Sequence, residues 1–167
     1  MLFIRHCEKL YENGCVYPLG LDPGITEESA KEAEIKFDFL IKKFKIPKKI
    51  VCSPYLRTRQ TAEILQNAIN KNFNFKVPII CDFEFSEYLG NQKKNYCQEN
   101  FEQETLKCGI IPPESIKQFK DRVKKVCSKL EFGTWYVTHG FFMTLVSEYF
   151  GKKISYPKPI DYFAIQN

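Results

Sequence analysis

The chain has 167 residues, of which 44% are hydrophobic and 27% are charged, and its formal net charge is +5. This composition is typical of a single globular domain that buries about 70% of its extended surface, and it excludes a disordered chain. The lysines are scattered rather than arranged in one stripe, so we expect no nucleic-acid partner, and no apolar run approaches the roughly 20 residues that cross a membrane.

The cysteines and the amino terminus favour a reducing, cytoplasmic setting. There are seven cysteines, an odd number, and none lies in C-x-x-C spacing, which argues against a zinc or thioredoxin-like motif. Cys52 and Cys81 lie in apolar, strand-like runs, where we expect buried, reduced thiols. The amino terminus reaches Arg5 after four residues, which is too soon for a secretory signal. We therefore expect a cytoplasmic protein with no membrane partner.

The first half of the chain predicts two strand–helix units. In chain order these are a strand at 1–4, a loop at 7–25, a helix from Thr26 to about residue 45, a strand at 49–52 and a helix from Ser53 to about residue 70. Thr26 is a good N-cap, and two glutamates follow it in the first turn. Ser53 is predicted to cap the second helix, with Pro54 in a first turn where its missing N–H costs nothing.

The second half continues the same alternation. In chain order it predicts a strand at 77–81, a polar connection at 82–113, a helix through 116–130, a strand at 134–138, a helix at 140–150 and a strand at 162–165. The connection is long, which predicts an active-site lid or loop insertion. Strands that alternate with helices predict an α/β fold, here a three-layer α/β/α sandwich around a mostly parallel sheet, as a single domain over residues 1–167.

Polar residues follow four of the predicted strands, at the edge where parallel sheets bind ligands. They are Arg5 and His6 after the first strand, Arg57 after the second, the acidic Asp82, Glu84 and Glu87 after the third, and His139 and Gly140 after the fourth. Guanidinium groups bind phosphate oxygens in a bidentate manner, and a neutral imidazole is a competent nucleophile toward phosphorus. Since the chain has only these two histidines, their placement predicts phosphoryl transfer.

Five segments of the sequence carry a family resemblance. They are Arg5-His6-Cys7-Glu8, Asp22-Pro23-Gly24-Ile25-Thr26, Ser53-Pro54-Tyr55-Leu56-Arg57-Thr58-Arg59-Gln60-Thr61-Ala62, Phe85-Ser86-Glu87 and Val137-Thr138-His139-Gly140. In this order they resemble the R-H-G, D-x-x-L-T, S-P-x-x-R-(A/T)-x-Q-T-A, L-x-E and V-(S/T)-H-G motifs of the histidine phosphatase superfamily, also called phosphoglycerate mutase-like. The resemblance spans residues 2–140.

The resemblance implies a phosphomonoester hydrolase that uses neither a metal nor another cofactor. It implies that His6 attacks phosphorus and becomes phosphorylated, and that Arg5, Arg57 and His139 bind the phosphoryl oxygens. Glu87 would protonate the leaving oxygen. These roles lead us to expect a neutral His6 beside the arginines, a cationic His139, and a raised pKa for Glu87.

Further substrate-binding candidates are Asn13, Tyr55 and Gly140. The first-loop register places Glu12 where the family has its substrate-binding asparagine, with Asn13 one residue later. Tyr55 would either contact substrate or pack at the rim of the pocket. Cys7 replaces the usual glycine of the first motif, which predicts reduced or redox-sensitive activity.

The same sequence excludes two other classes of phosphatase and leaves several alternatives open. A cysteine-dependent phosphatase needs an arginine six residues after the cysteine, and none of the seven cysteines has one; a metallophosphatase needs more ligands than two histidines offer. Phosphoglycerate mutase-type transfer and a phosphate-binding or scaffolding module without catalysis stay open, as do Glu84 and Asp82 in place of Glu87. The short chain favours hydrolysis, with a phosphorylated small molecule or a phosphoprotein as substrate.

Overall fold

A computed structural model describes residues 1–10, 22–90 and 114–166 of the chain. Its elements, in chain order, are β1 (Leu2–Arg5), α1 (Glu27–Lys43), β2 (Lys49–Cys52), α2 (Leu56–Phe73), β3 (Ile79–Cys81), a 3-10 helix (Phe83–Phe85), α3 (Ile116–Cys127), β4 (Thr134–Thr138), α4 (Gly140–Tyr149) and β5 (Tyr162–Ala164). The predicted strands and helices are all present, with boundaries that differ by up to about three residues. Within these ranges, none of the helices has the length and apolarity that a bilayer span requires.

The five strands form one sheet in the order β3-β2-β4-β1-β5. The pairs β1–β4, β2–β4 and β2–β3 are parallel, and only β5 runs antiparallel, against β1. This confirms the predicted, mostly parallel sheet. Because the four parallel strands end at the same edge, the residues that follow them lie together there.

Helices cover both faces of the sheet. On one face, α1 and α2 pack over Leu2, Ile4 and Trp135; on the other, α3 and α4 pack over Phe3 and Tyr136. Consecutive residues of β1 enter opposite cores because side chains alternate across a strand. The predicted three-layer α/β/α arrangement is confirmed.

The two predicted helix caps have different outcomes. Thr26 caps α1 as predicted, since its hydroxyl accepts the backbone N–H of Ser29 at 3.1 Å. The prediction for Ser53 is wrong: α2 begins only at Leu56, after Tyr55, and the Leu56 N–H is accepted by Asp22 Oδ1 at 2.6 Å. Capping rules consider only local sequence, whereas this acceptor comes from a distant segment.

Two predictions of burial are also wrong. Cys81 is exposed, because β3 is the edge strand of the sheet. Ile116 is the first apolar residue in the helical periodicity of 116–130, which predicts that it lies on the buried face; it is 42% exposed at the first residue of α3. Local apolar patterns do not reveal that a strand lies at an edge or that the end of a helix extends beyond the core.

Candidate active site

Two buried imidazoles face each other where β1 and β4 end. His6 follows β1 and His139 follows β4, and their ring centroids are 5.2 Å apart at an angle of 64°. The two residues are 2% and 0% exposed. Pairing of β1 with β4 in register brings them together, because Arg5 lies opposite Thr138 and the next residue of each strand is the histidine.

The hydrogen bonds of His6 fix its tautomer. Nδ1 lies 2.6 Å from the carbonyl oxygen of Cys7, which can only accept, so Nδ1 carries the proton. Nε2 accepts a hydrogen bond from Arg57 Nε at 3.3 Å, so it carries no proton and its lone pair points toward the Arg57 guanidinium. Burial, followed by the charge of Arg57, holds the pKa of His6 well below its ordinary value. His6 is thus the neutral imidazole that a nucleophile must be.

Arg57 is the central cation of the site and is only 1% exposed. It lies in the first turn of α2, where its Nη2 donates to Glu87 Oε2, and its guanidinium covers the ring of Tyr55 at 4.2 Å. Its Nη1 is buried 3.7 Å from Asp22 Oδ1 and has no hydrogen-bond acceptor among the described residues. A buried donor of this kind can bind an anionic oxygen of a ligand.

His139 has the opposite tautomer to His6. Its Nε2 lies 2.9 Å from Ser53 Oγ, and its Nδ1 lies 3.5 Å from Arg57 Nη2, a group that can only donate. Nδ1 is therefore the unprotonated nitrogen, and Nε2–H donates to Ser53. Burial and then the charge of Arg57 hold the pKa of His139 well below its ordinary value. The expectation of a cationic His139 is wrong for the unliganded protein, because desolvation and neighbouring cations both oppose the charge.

Glu87 is an acidic side chain of this pocket. Its carboxylate bonds Arg57, its Oε2 lies 3.7 Å from His139 Nδ1, and its side chain is 27% exposed. Burial raises the pKa of Glu87, but the charge of Arg57 and the other nearby cations together outweigh burial, and the pKa lies below its ordinary value. The expectation of a raised pKa is therefore wrong for the unliganded protein.

The other two acidic candidates lie outside the pocket. Glu84 points toward α3, where Lys125 Nζ donates to it at 2.9 Å, and Asp82 caps the 3-10 helix by accepting the Glu84 N–H at 2.9 Å. Arg122 of α3 donates to the carbonyl oxygens of Glu84 and Ser86 at 2.5 and 3.1 Å. This anchor holds the backbone on both sides of Phe85 and so positions Glu87.

Arg5 and Gly140 both contact the segment of residues 156 and 157. Arg5 Nη1 donates to the carbonyl oxygen of Pro157 at 2.6 Å, and its guanidinium lies 5.2 Å from the ring of Tyr156. The Nε of Arg5 is buried without an acceptor among the described residues. Gly140, the first residue of α4, lies so close to Tyr156 that a Cβ there would come within 2.7 Å of the ring. The glycine thus makes room for the ring of Tyr156.

Comparison with known proteins agrees with this architecture. The family model of the histidine phosphatase superfamily, branch 1, matches residues 1–162. The chain belongs to the histidine phosphatase superfamily. No curated protein sequence matches the chain at a significant level.

Solved structures of histidine phosphatase fold resemble the chain at low identity. The protein TTHB049 from Thermus thermophilus has a TM-score of 0.62 and 22% identity, over 96% of this chain and 89% of its own. A putative alpha-ribazole-5'-P phosphatase from Escherichia coli has a TM-score of 0.62 and 20% identity, over 90% and 79%. A mycobacterial glucosyl-3-phosphoglycerate phosphatase has a TM-score of 0.59 and 18% identity, over 89% and 77%. These likenesses support the fold.

The remaining sequence candidates of this histidine phosphatase superfamily member have separate outcomes. Tyr55 is fully buried beneath Arg57 and edge-on to His139 at 4.9 Å, so it packs against two side chains of the pocket. Cys7 is also fully buried, its N–H donates to Thr61 Oγ1 at 3.0 Å, and burial raises the pKa of its thiol. Such a thiol is poorly reactive. Asn13 and Glu12, and residues 91–113 of the predicted lid, lie outside the described residues.

Three residues near the histidines were not assigned a role from the sequence. Asp22 supplies the acceptor for the first N–H of α2 and lies beside Arg57; its only signal was its place in a family motif. Lys9 is half-buried and forms an isolated antiparallel bridge with Ile25; burial lowers its pKa, and it lies in the electrostatic field of Glu87. Tyr156 had no sequence signal, because it reaches Gly140 from a segment without regular structure.

Proposed function

We propose that this protein is a metal-independent phosphomonoesterase that forms a phosphohistidine on His6. The observation that carries the proposal is that His6 Nε2 and His139 Nδ1 both contact the buried guanidinium of Arg57, which also bonds Glu87. A nucleophile, two groups that bind anionic oxygens and an acid are what phosphoryl transfer requires of a protein.

In the first step, the Nε2 lone pair of His6 attacks phosphorus and the bond to the leaving oxygen breaks. Positive charge then develops on the ring, and the Nδ1–H bond to the Cys7 carbonyl stabilises it. Protonated Glu87 supplies the proton of the leaving alcohol. In the second step, water attacks phosphorus, Glu87 accepts a proton, the phosphorus–nitrogen bond breaks and His6 regains its lone pair.

Glu87 changes partner when the substrate binds. Its carboxylate bonds Arg57 Nη2 and faces His139 Nδ1, and these are the positions that a phosphoryl oxygen would contact. A bound phosphate takes Arg57 and brings negative charge next to the carboxylate, and both changes raise the pKa of Glu87. The same negative charge favours a proton on His139 Nδ1. Substrate binding thus produces the protonation states that the chemistry needs and the unliganded protein lacks.

We propose a phosphorylated small molecule as the substrate class. The solved structures that share this fold include proteins named as phosphatases of alpha-ribazole-5'-P and of glucosyl-3-phosphoglycerate. An aromatic side chain, Tyr156, lies 59% exposed beside Arg5 and offers an apolar surface to a leaving group. A phosphoprotein remains the alternative substrate, and parallel assays on phosphopeptides and phosphometabolites distinguish the two by kcat/KM.

The test is hydrolysis of p-nitrophenyl phosphate in excess chelator. His6→Ala and Arg57→Ala should each lower kcat by at least about a thousandfold, because each removes a group that acts in the transition state. Arg59→Ala is the matched control, since Arg59 is an exposed arginine two residues along the same helix and should retain normal turnover.

Results of these assays other than the expected ones indicate a different mechanism or function. Turnover that survives His6→Ala contradicts the phosphohistidine mechanism. Phosphate binding with no turnover on a broad phosphoester panel indicates the binding module. Transfer of the phosphoryl group to an added phosphorylated acceptor, in preference to water, indicates mutase-type chemistry.

A further inference from the structure

Two thiols lie side by side at the ends of β2 and β3. Cys52 and Cys81 are paired in register in neighbouring parallel strands, and their Sγ atoms are 3.6 Å apart. Residues paired in this way point to the same face of the sheet and have backbones about 4.8 Å apart, which lies within the range that a disulfide spans. Closing the bond to about 2.05 Å requires the sulfurs to approach by about 1.5 Å.

The two thiols differ in access to solvent. Cys81 is exposed on the edge strand, whereas Cys52 is fully buried beneath α2. A small oxidant therefore meets Cys81 first, and Cys52 is the neighbour positioned to resolve the oxidised sulfur. Burial raises the pKa of Cys52, which keeps it a thiol until then.

We propose that Cys52 and Cys81 form a redox-sensitive modification site. A peroxide converts the two thiols to a disulfide, and the disulfide shifts the neighbouring residues of the candidate active site. The Cys81 thiol first loses its proton to solvent; the thiolate attacks a peroxide oxygen, the O–O bond breaks, and Cys81 becomes a sulfenic acid while the departing oxygen takes up a proton from solvent and leaves as water or an alcohol. The sulfur of Cys52 then attacks Cys81, the S–O bond breaks, and the Cys52 proton leaves with the hydroxide as water. Two thiols are oxidised and one peroxide is reduced.

Short connections join this pair to both sides of the pocket. Ser53, next to Cys52, is the hydrogen-bond partner of His139, and the Asp82 N–H after Cys81 donates to the Cys52 carbonyl at 2.9 Å. Asp82 then caps the 3-10 helix that leads to Glu87. A shift of about 1 Å in a catalytic constellation can lower its rate about a hundredfold. Oxidation should therefore reduce turnover, a consequence that rests on the proposed phosphatase function.

Peptide mapping tests the bond without reference to activity. The purified protein is treated with hydrogen peroxide, blocked with N-ethylmaleimide and digested with trypsin without reductant. Cys52 and Cys81 each lie alone in their tryptic peptides, residues 50–57 and 77–93, so a disulfide between those two peptides identifies the pair. We expect this linked pair to form in the wild type, disappear with dithiothreitol and be absent from Cys81→Ser. Its absence at peroxide concentrations that oxidise other cysteines overturns the site.

Hydrogen exchange and turnover test the connection to the pocket. We expect the oxidised protein to show altered amide exchange in residues 82–87 and at least about a tenfold fall in p-nitrophenyl phosphate hydrolysis, both restored by dithiothreitol. Cys81→Ser should resist this reversible loss, whereas the control Cys127→Ser, a buried thiol in α3, should behave as wild type. If the disulfide forms and amide exchange in residues 82–87 does not change, the connection between the cysteine pair and the active site is overturned. An equal loss of hydrolysis in Cys81→Ser and the wild type overturns it as well. Reduced protein without turnover refutes only the proposed function.

Discussion

The most informative perturbation is Glu87→Gln, because Glu87 bonds the Arg57 donor that the proposed mechanism assigns to the phosphoryl group. A phosphate ion must break the bond between Arg57 and Glu87 before it can use the same Nη2 donor. A hydrogen bond to a charged group contributes about 1.5–3 kcal/mol net. Removing the carboxylate charge removes that competition and the repulsion between two anions. We expect the Kd of inorganic phosphate to fall by about tenfold to a hundredfold.

The same substitution should lower kcat while it tightens binding. Glutamine cannot donate a proton to the leaving oxygen, and the loss of an acid of this kind costs about a hundredfold to ten-thousandfold in rate. Isothermal titration calorimetry with phosphate and steady-state hydrolysis at the same pH measure the two effects. If Glu87 had a purely structural role, Glu87→Gln would weaken phosphate binding as well as lower kcat.

Glu84→Gln is the matched control, since it removes an acid of the same type three residues away that bonds Lys125 outside the pocket. It should change neither the phosphate affinity nor kcat by more than about twofold, as expected for an ion pair at the surface. Phosphate affinity that is unchanged or weaker in Glu87→Gln would refute the exchange of partners at Arg57. Equal effects in the two variants would refute the assignment of Glu87.

Three further predictions concern the groups around the histidines. Both histidines have a pKa below the unfolded value of about 6.5, so the unfolded chain binds more protons than the folded chain below that pH. The free energy of unfolding, measured with urea, should therefore fall by up to about 2.7 kcal/mol per pH unit as the pH drops from 7 to 5. A flat profile would contradict the burial of both histidines as neutral groups. Asp22→Ala should cost about 1–2 kcal/mol of unfolding free energy because it removes the acceptor for the first N–H of α2, and Asp22→Asn should recover most of it; equal losses in both variants would contradict the capping role. Ser53→Ala removes the acceptor of the His139 Nε2–H, so it should lower kcat about tenfold and shift the nitrogen-15 resonances of one of the two imidazoles. Unaltered spectra would contradict the role of Ser53 in fixing the His139 tautomer.

The fold could be predicted from the sequence because its signals are local and consistent. Apolar runs alternate with helical periodicity, and this alternation led to the parallel sheet and to the edge where His6, Arg57 and His139 meet. The wrong predictions of capping and burial share one cause, which is that the deciding contact comes from elsewhere in the chain. Asp22 replaces Ser53 as the acceptor at the start of α2, and the edge position of β3 exposes Cys81.

Protonation states could not be predicted from residue types either. The sequence-based expectation assigned states that suit a bound phosphate, with a cationic His139 and a protonated Glu87. In the unliganded pocket, burial and the charge of Arg57 keep His139 neutral, and the cations around Glu87 keep it ionised. The balance depends on distances of a few ångströms between buried groups, which sequence patterns do not contain.

Trapping of the phosphoenzyme tests the central claim most directly. The protein is mixed with substrate, quenched in alkaline denaturant, which preserves phosphohistidine, and digested with trypsin. His6 lies in the peptide of residues 6–9 and His139 in that of residues 130–152, so mass spectrometry distinguishes them. The proposed mechanism predicts phosphoryl on residues 6–9, formed and lost at rates compatible with kcat. Phosphoryl on residues 130–152, or turnover with neither peptide modified at any time, would contradict it.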